Sequence, residues 1–379
     1  MNSRERLKLS LNHKEPDKIP IELNGTANSS LTKEAYRKLR AYLGMEEDKN
    51  INVSWITMGT VRAKEDLLIR YEIDTRPVYF KPSKITTIEF LPDGSFYDEF
   101  GAIWKPASYY YDVVERPMAN IERASDLKYV KWPDPYDKTM VEGLKVDVKK
   151  LFEETDYCLV ADFHTLGPFE GGCYLRGFEN FLIDLYSNES FVEALLNKLT
   201  DYCIARWEIL LGEVGDYVQV VCQGDDLGTQ NMPYISPKIY RKYIKPLHKK
   251  IYDSIKVKTK AKILFHSCGS IYDLIPDFIE AGIDILNPIQ RSAAKMDIEK
   301  LKRQFGNDIS FWGGGIDVQQ QLPNFTLKQI EDEIKKTINI MAPGGGFVFF
   351  STHNIQPDVS PDKIDFMFKT VLKNRSYLK

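Results

Sequence analysis

From about residue 140 onward the chain alternates short β-branched or aromatic runs with longer stretches of helical period, and this alternation leaves few folds open. The short runs fall near 157–162, 217–222, 262–267, 283–287, 309–312 and 347–351, and the helical stretches near 178–187, 189–213, 237–256, 270–281, 295–305 and 326–341. Strands separated by whole helices pair in parallel, because each crossover returns the chain to the same end of the sheet. Six such units, joined by Ile19–Leu23 and a further strand near 75–80, make eight. Eight units in one chain predict an α/β fold, a (β/α)8 TIM barrel.

The residues that follow the strands favour a barrel over an open sheet. Asn24, Asp162 and His164, Asp225 and Asp226, His266 and Cys268, Asn287 and Gln290, and His353 with Gln356 all stand at carboxyl ends. In a barrel those ends share one face, where the active site is built. Two additions are expected. Asn2 and Glu5 have capping-box spacing ahead of Leu7, Leu9 and Leu11, predicting an N-terminal helical extension within 2–14. Between about 78 and 135, short alternating runs broken by turns such as Pro92-Asp93-Gly94 read as an inserted β-hairpin flap. Its aromatic residues are expected mainly to pack the flap's own small core. The whole chain, 1–379, reads as one domain.

Composition narrows the class. With 43% hydrophobic and 28% charged residues the chain can bury a large core, and Lys+Arg 51 against Asp+Glu 54 argues against nucleic acid as a partner. Five cysteines at irregular spacing suit free thiols in a reducing, cytoplasmic setting. No run approaches eighteen apolar residues, so no membrane association is expected.

The chemistry centres on His266-Ser267-Cys268. A strand presents residues two apart on one face, so a His and a Cys there can share one metal ion. A catalytic zinc generally takes three protein ligands, and the third candidate is His353, after the aromatic run ending near 351. The competing reading is a buried thiol and a satisfied core imidazole. Of the adjacent carboxylates Asp225 and Asp226, one is expected near substrate or metal and the other as a cap. Gly313–Gly315 lacks the pattern of a phosphate loop and reads as a glycine-rich turn that lets substrate approach the backbone. His13 and His248 lie in charged helical segments and receive no role.

Taken in order, Glu15–Pro20, Trp132–Pro135, Gly224–Gly228, Ile235–Pro237 with Tyr240–Pro246, His266–Ser270, Asn287–Gln290 and His353–Pro357 resemble the uroporphyrinogen decarboxylase superfamily, and within it the corrinoid-dependent methyltransferase branch. The resemblance implies a (β/α)8 barrel with N-terminal additions. Thiol-methylating members of that branch hold zinc with His-x-Cys and a later Cys, and here His353 stands at the later position. Neutral imidazole in place of thiolate leaves the metal more positive and a better Lewis acid. The expectation is therefore zinc on His266, Cys268 and His353, their donor atoms within about 4 Å of one another. The expected reaction is demethylation of a small, methoxyaromatic substrate onto Co(I) of a corrinoid (cobalamin) carried by a corrinoid-binding protein. Asn24, Gln290 and Gln356 would orient substrate with Asp225 or Asp226, and His164 could protonate the leaving oxygen.

Three alternatives stay open: methyl transfer from methyl-corrinoid to a thiol or tetrahydrofolate, a decarboxylase-type lyase, and a non-catalytic small-molecule-binding paralogue. The decarboxylase reading meets an obstacle. Members with that activity resemble one another in an arginine-bearing segment after the first strand, and Ile21–Asn28 contains none. A homodimer is left open.

Overall fold

The computed structural model describes residues 1–86, 88–162 and 167–377. Seven parallel strands, Thr75–Val78, Cys158–Asp162, Val220–Gly224, Lys262–His266, Ile285–Asn287, Ser310–Trp312 and Phe347–Val348, lie side by side in chain order. The segment around Ile21 joins the two edges. Phe349 N–H donates to Pro20 O and Glu22 N–H to Phe349 O, each at 2.9 Å, while Asp74 N–H donates to Ile21 O at 2.9 Å. The eighth stave is thus a single parallel bridge, Ile21 to Phe349, in place of the expected ladder. Pro20 lacks the N–H that a longer ladder would use.

Strand alternation then sorts the side chains. Cys158 and Val160, Val220 and Cys222, Leu264, Ile285, Trp312 and Val348 form the barrel's inner cluster. Neighbours such as Leu159, Ala161, Val221, Ile263, Phe265 and Leu286 face outward into the larger cluster shared with the helices. The helix Ser3–Ser10 carries the expected Asn2–Glu5 capping box, and its Leu7, with Leu11 just beyond, joins the inner cluster from below. Each such leucine contributes about 1.5–3 kcal/mol by burial.

The same period of two places the next inward residues, Asp162, Gly224, His266 and Asn287, above the apolar layers. His266 pairs in register with Gly224 on one side and Asn287 on the other. Sequence alone therefore dictates a polar layer on an apolar floor.

Several elements differ from expectation. The stretch 237–256 is Pro237–Ile239, a π-turn at Tyr240–Ile244 and then Lys245–Lys258. Lys245 N–H reaches Tyr240 O, and Pro246 has no N–H with which to continue the narrower ladder. The helix Pro168–Arg176 was not anticipated because Gly171-Gly172 weakens its signal. Gly172 is needed there, since a Cβ would lie 2.5 Å from the Phe181 ring. The helices Lys33–Tyr42, Leu144–Glu154 and Pro361–Asn374 were likewise not anticipated.

The flap is a four-stranded antiparallel sheet, Glu89–Phe90, Phe96–Tyr97, Ile103–Ala107 and Tyr110–Glu115. Phe96, Trp104 and Val113 pack together, and Trp104 meets Tyr174 of Pro168–Arg176 with ring centroids 5.3 Å apart. A second small hairpin, Val53–Trp55 with Thr60–Val61, brings Trp55 and Met58 to the barrel mouth.

Candidate metal centre

The donor atoms of His266, Cys268 and His353 all lie within 4.8 Å of one another. Cys268 Sγ is 3.5 Å from His266 Nε2, and the two imidazole centroids are 5.5 Å apart. Ligands at roughly 2.0–2.3 Å from a tetrahedral ion stand about 3.3–3.8 Å apart. The Cys268–His266 separation falls in that range, and all three separations lie within 4.8 Å, a looser bound than the expected 4 Å.

The surroundings fix which atoms face the centre. Asn287 Nδ2 donates to Trp312 O at 2.8 Å, which turns its Oδ1 toward His266 Nδ1 at 2.6 Å. Nδ1 therefore carries the proton, leaving the Nε2 lone pair directed at Cys268. Burial, with a smaller contribution from His266, pushes His353 down to about 3, so its ring is neutral and able to ligate. The thiol of Cys268 is pushed up by burial and by Asp226 and Glu170, as expected for a thiol lacking a compensating cation. The donor set, two neutral imidazoles and one thiol beside carboxylates, fits zinc.

Backbone contacts set the loop that carries Cys268. Cys268 N–H donates to Asp226 Oδ1 at 2.8 Å and Gly269 N–H to Gln290 Oε1 at 2.7 Å. Gly269 has φ +87°, and a Cβ on it would lie 2.4 Å from the Gly228 carbonyl carbon. Only glycine allows these two loops to touch.

The candidate residues separate on inspection. Asp226 Oδ1 lies 3.8 Å from His266 Nε2, at the edge of the centre. Asp225 is fully buried, accepting from Phe169 N–H at 3.1 Å and Glu170 N–H at 2.7 Å, with His248 Nε2 at 2.8 Å from Oδ2. It caps the helix Pro168–Arg176 with both carboxylate oxygens already engaged. His248, given no role from sequence, is its buried partner and is backed by the Tyr240 hydroxyl at 3.1 Å. The Asp225–His248 spacing across two elements left no sequence signal.

Asn24 is also structural. Its φ is +67°, its Nδ2 donates to Val61 O at 2.8 Å, and its Oδ1 accepts from Ala63 N–H. Gln290 braces the Cys268 loop and donates to Gln230. Gln356 donates to the Tyr110 hydroxyl of the flap, and its Oε1 is buried with no hydrogen-bond partner among the described residues. His164 lies outside the described residues. Gly313–Gly315 is filled by the protein itself, since Cβ atoms at 314 and 315 would meet Ile289 at 2.6 Å and the Phe349 ring at 2.4 Å. The glycines at 314 and 315 thus allow the protein to pack closely on itself.

One pocket adjoins the centre, lined by Asn28, Trp55, Met58, Asp162, Glu170, Cys222, Gly224, Asp226 and His266. Glu170, missed from sequence, has its carboxyl raised well above the usual range by burial first and then by Asp226 and Asp225. Beneath the neighbouring loop Glu22 is buried, accepts from the Gly25 and Thr26 amides, and is raised to about 7, chiefly by desolvation.

Comparison with known proteins shows the family and the fold. Residues 113–373 match the family model described as uroporphyrinogen decarboxylase (URO-D). The chain is 24% identical over 240 residues to the methylcobamide:CoM methyltransferase MtbA of Methanosarcina mazei, covering 62% of this chain and 66% of that relative, just under two thirds of its length. Among solved structures it is similar to a methyltransferase from Methanosarcina mazei, with TM-score 0.67, 14% identity, and coverage of 98% and 99% of the two chains. A β-glucosidase from Pyrococcus furiosus aligns at TM-score 0.43 and 9% identity over 95% and 96% of the chains, a likeness too low to carry an argument. With a TIM barrel in place and more than half of its residues matched, the chain belongs to the uroporphyrinogen decarboxylase family.

Proposed function

We propose that the protein is a zinc-dependent, corrinoid-linked methyltransferase that moves a methyl group from a small methoxyaromatic substrate to Co(I) of a partner corrinoid protein. The carrying observation is the convergence of His266, Cys268 and His353, with His266 held by Asn287 in the ligating tautomer. The methyltransferase named among the relatives supports the reaction class.

His266, Cys268 and His353 would hold the zinc. Bound there, zinc supplies Lewis-acid polarisation of an ether oxygen, and two neutral ligands with one thiolate keep that acidity high. Trp55 and Met58 offer the pocket's apolar surface to an arene. Glu170, whose carboxyl is raised by burial and by Asp226 and Asp225, lines the same pocket and is placed to supply a proton to the leaving oxygen, the part assigned to His164 from sequence. Tyr110, tied to Gln356, brings the flap to the His353 side of the mouth. Asp226 keeps the Cys268 amide, and hence the ligand loop, in place.

A porphyrinogen decarboxylase is the poorer fit. The first loop spends its one charged residue, Glu22, on its own Gly25 and Thr26 amides and presents no arginine to a polycarboxylate. The test is a methyl-transfer assay with zinc-loaded protein and a Co(I) corrinoid protein. Phenol formed in step with loss of Co(I) supports the proposal, and methyl transfer only from methyl-corrinoid to a thiol or tetrahydrofolate reverses its direction.

A further inference from the structure

Arg62 is a half-buried cation whose charge meets no acid. It follows Thr60–Val61, in the hairpin that contributes Trp55 and Met58 to the pocket wall, and its backbone N–H donates to Asn52 O at 2.7 Å. Its Nε is buried with no hydrogen-bond partner among the described residues, and no hydrogen bond or ion pair engages its side chain there. Residues 87, 163–166, 378 and 379 contain no Asp or Glu that could neutralise it. Burial pushes its pKa down, and Tyr79 is the ionisable neighbour that acts against the shift; none of the pocket acids does.

Tyr79 supplies a platform. The guanidinium carbon lies 4.5 Å from the centroid of its ring. Burial raises the Tyr79 hydroxyl well above its usual range, so the residue offers an aromatic face and no counter-charge. Pro77 pairs in register with inward-facing Val160, and Tyr79, two residues further on, therefore also faces into the barrel mouth. Its strand is three places round the barrel from that of His266. Asn24 holds the backbone on both sides of Arg62, since Nδ2 donates to Val61 O at 2.8 Å and Oδ1 accepts from Ala63 N–H. A guanidinium fixed in this way with its N–H fork open matches a carboxylate, which accepts two parallel hydrogen bonds. One guanidinium suits one carboxylate.

Resting on the methyl-transfer reading above, we propose that Arg62, stacked on Tyr79 and clamped through Asn24, forms a subsite for a single carboxylate, so that the methoxyarene taken by this protein is a methoxybenzoate.

The test is calorimetric binding of para-methoxybenzoate, anisole and para-methoxybenzylammonium to the zinc-loaded protein without corrinoid, repeated with Cys268→Ala so that a carboxylate held by the metal is told apart from one held by Arg62. The benzoate should bind at least about tenfold tighter than anisole in both proteins, and the ammonium weaker than anisole. Arg62→Gln, which breaks no hydrogen bond or ion pair of that side chain among the described residues, should erase the preference, with a thermal melt to confirm the fold. Arg62→Lys, which keeps the charge and loses the fork, should retain part of it. A benzoate no tighter than anisole overturns the proposal, as does a preference that survives in folded Arg62→Gln or vanishes in Cys268→Ala. The outcome is separable from the reaction itself: an Arg62-dependent benzoate preference without Co(I) methylation sinks the methyltransferase reading alone, and demethylation without that preference sinks the subsite alone.

Discussion

Asn287→Ala tests the metal centre through a residue that touches no metal. Two hydrogen bonds disappear: the one from His266 Nδ1 at 2.6 Å and the one to Trp312 O at 2.8 Å. Without the first, the His266 proton is free to move to Nε2, the atom that must be bare to ligate. Losing such an outer partner weakens metal binding by about 10–100-fold, or roughly 1.4–2.7 kcal/mol. Without the second, Trp312 O is left buried and unpaired, costing the fold about 1–3 kcal/mol. Asn287→Asp separates the effects, because a carboxylate still accepts from Nδ1 but cannot donate to Trp312. Zinc affinity by competition with a chromophoric chelator, with thermal melts alongside, should show Ala losing affinity and stability and Asp losing stability alone. An Ala variant that is folded and binds zinc as tightly as the parent would refute the assigned tautomer and with it the centre.

Other outcomes follow from particular contacts. Asp225→Ala should cost several kcal/mol, since it uncaps Phe169 and Glu170 and strands buried His248, whereas Asp226→Asn should leave the melting temperature nearly unchanged and lower zinc affinity. Glu22 is raised in the fold, so its stabilising contribution is complete below its usual range and is lost as pH rises through about 7; Glu22→Gln should flatten the decline in melting temperature across that window. His353 is lowered, so the metal-free protein should lose stability as pH falls from about 6.5 toward 3, a slope that His353→Asn removes. Incubation with uroporphyrinogen should release no carbon dioxide, and turnover there would reinstate the decarboxylase reading.

What could be read from sequence follows the periodicities. Alternation of strand and helix gave the barrel, and the period of two carried His266 into the polar layer above Leu264. The glycine-bearing helix Pro168–Arg176 escaped because its amphipathic signal is interrupted, and Glu170 escaped with it. Asn24 and Gln290 read as substrate ligands because each stands after a strand, and the sequence leaves open which of Asp225 and Asp226 is the cap, since position in the chain does not reveal which amides lie nearby. Val61, Ala63, Glu170 and Gly269 claim those side chains through contacts distant in sequence. His248 was set aside because the carboxylate it faces is on another element.

The central claim is metal-assisted methyl transfer to cobalt. Its most direct measurement follows one turnover spectroscopically, with zinc-loaded protein, a Co(I) corrinoid protein and a small methoxyarene, alongside Cys268→Ala. The account predicts conversion of Co(I) to methyl-cobalt with one phenol released per methyl transferred, and none in the variant. Equal rates in the parent and in a zinc-free Cys268→Ala protein, or persistence of Co(I) with a substrate shown to bind, would contradict it.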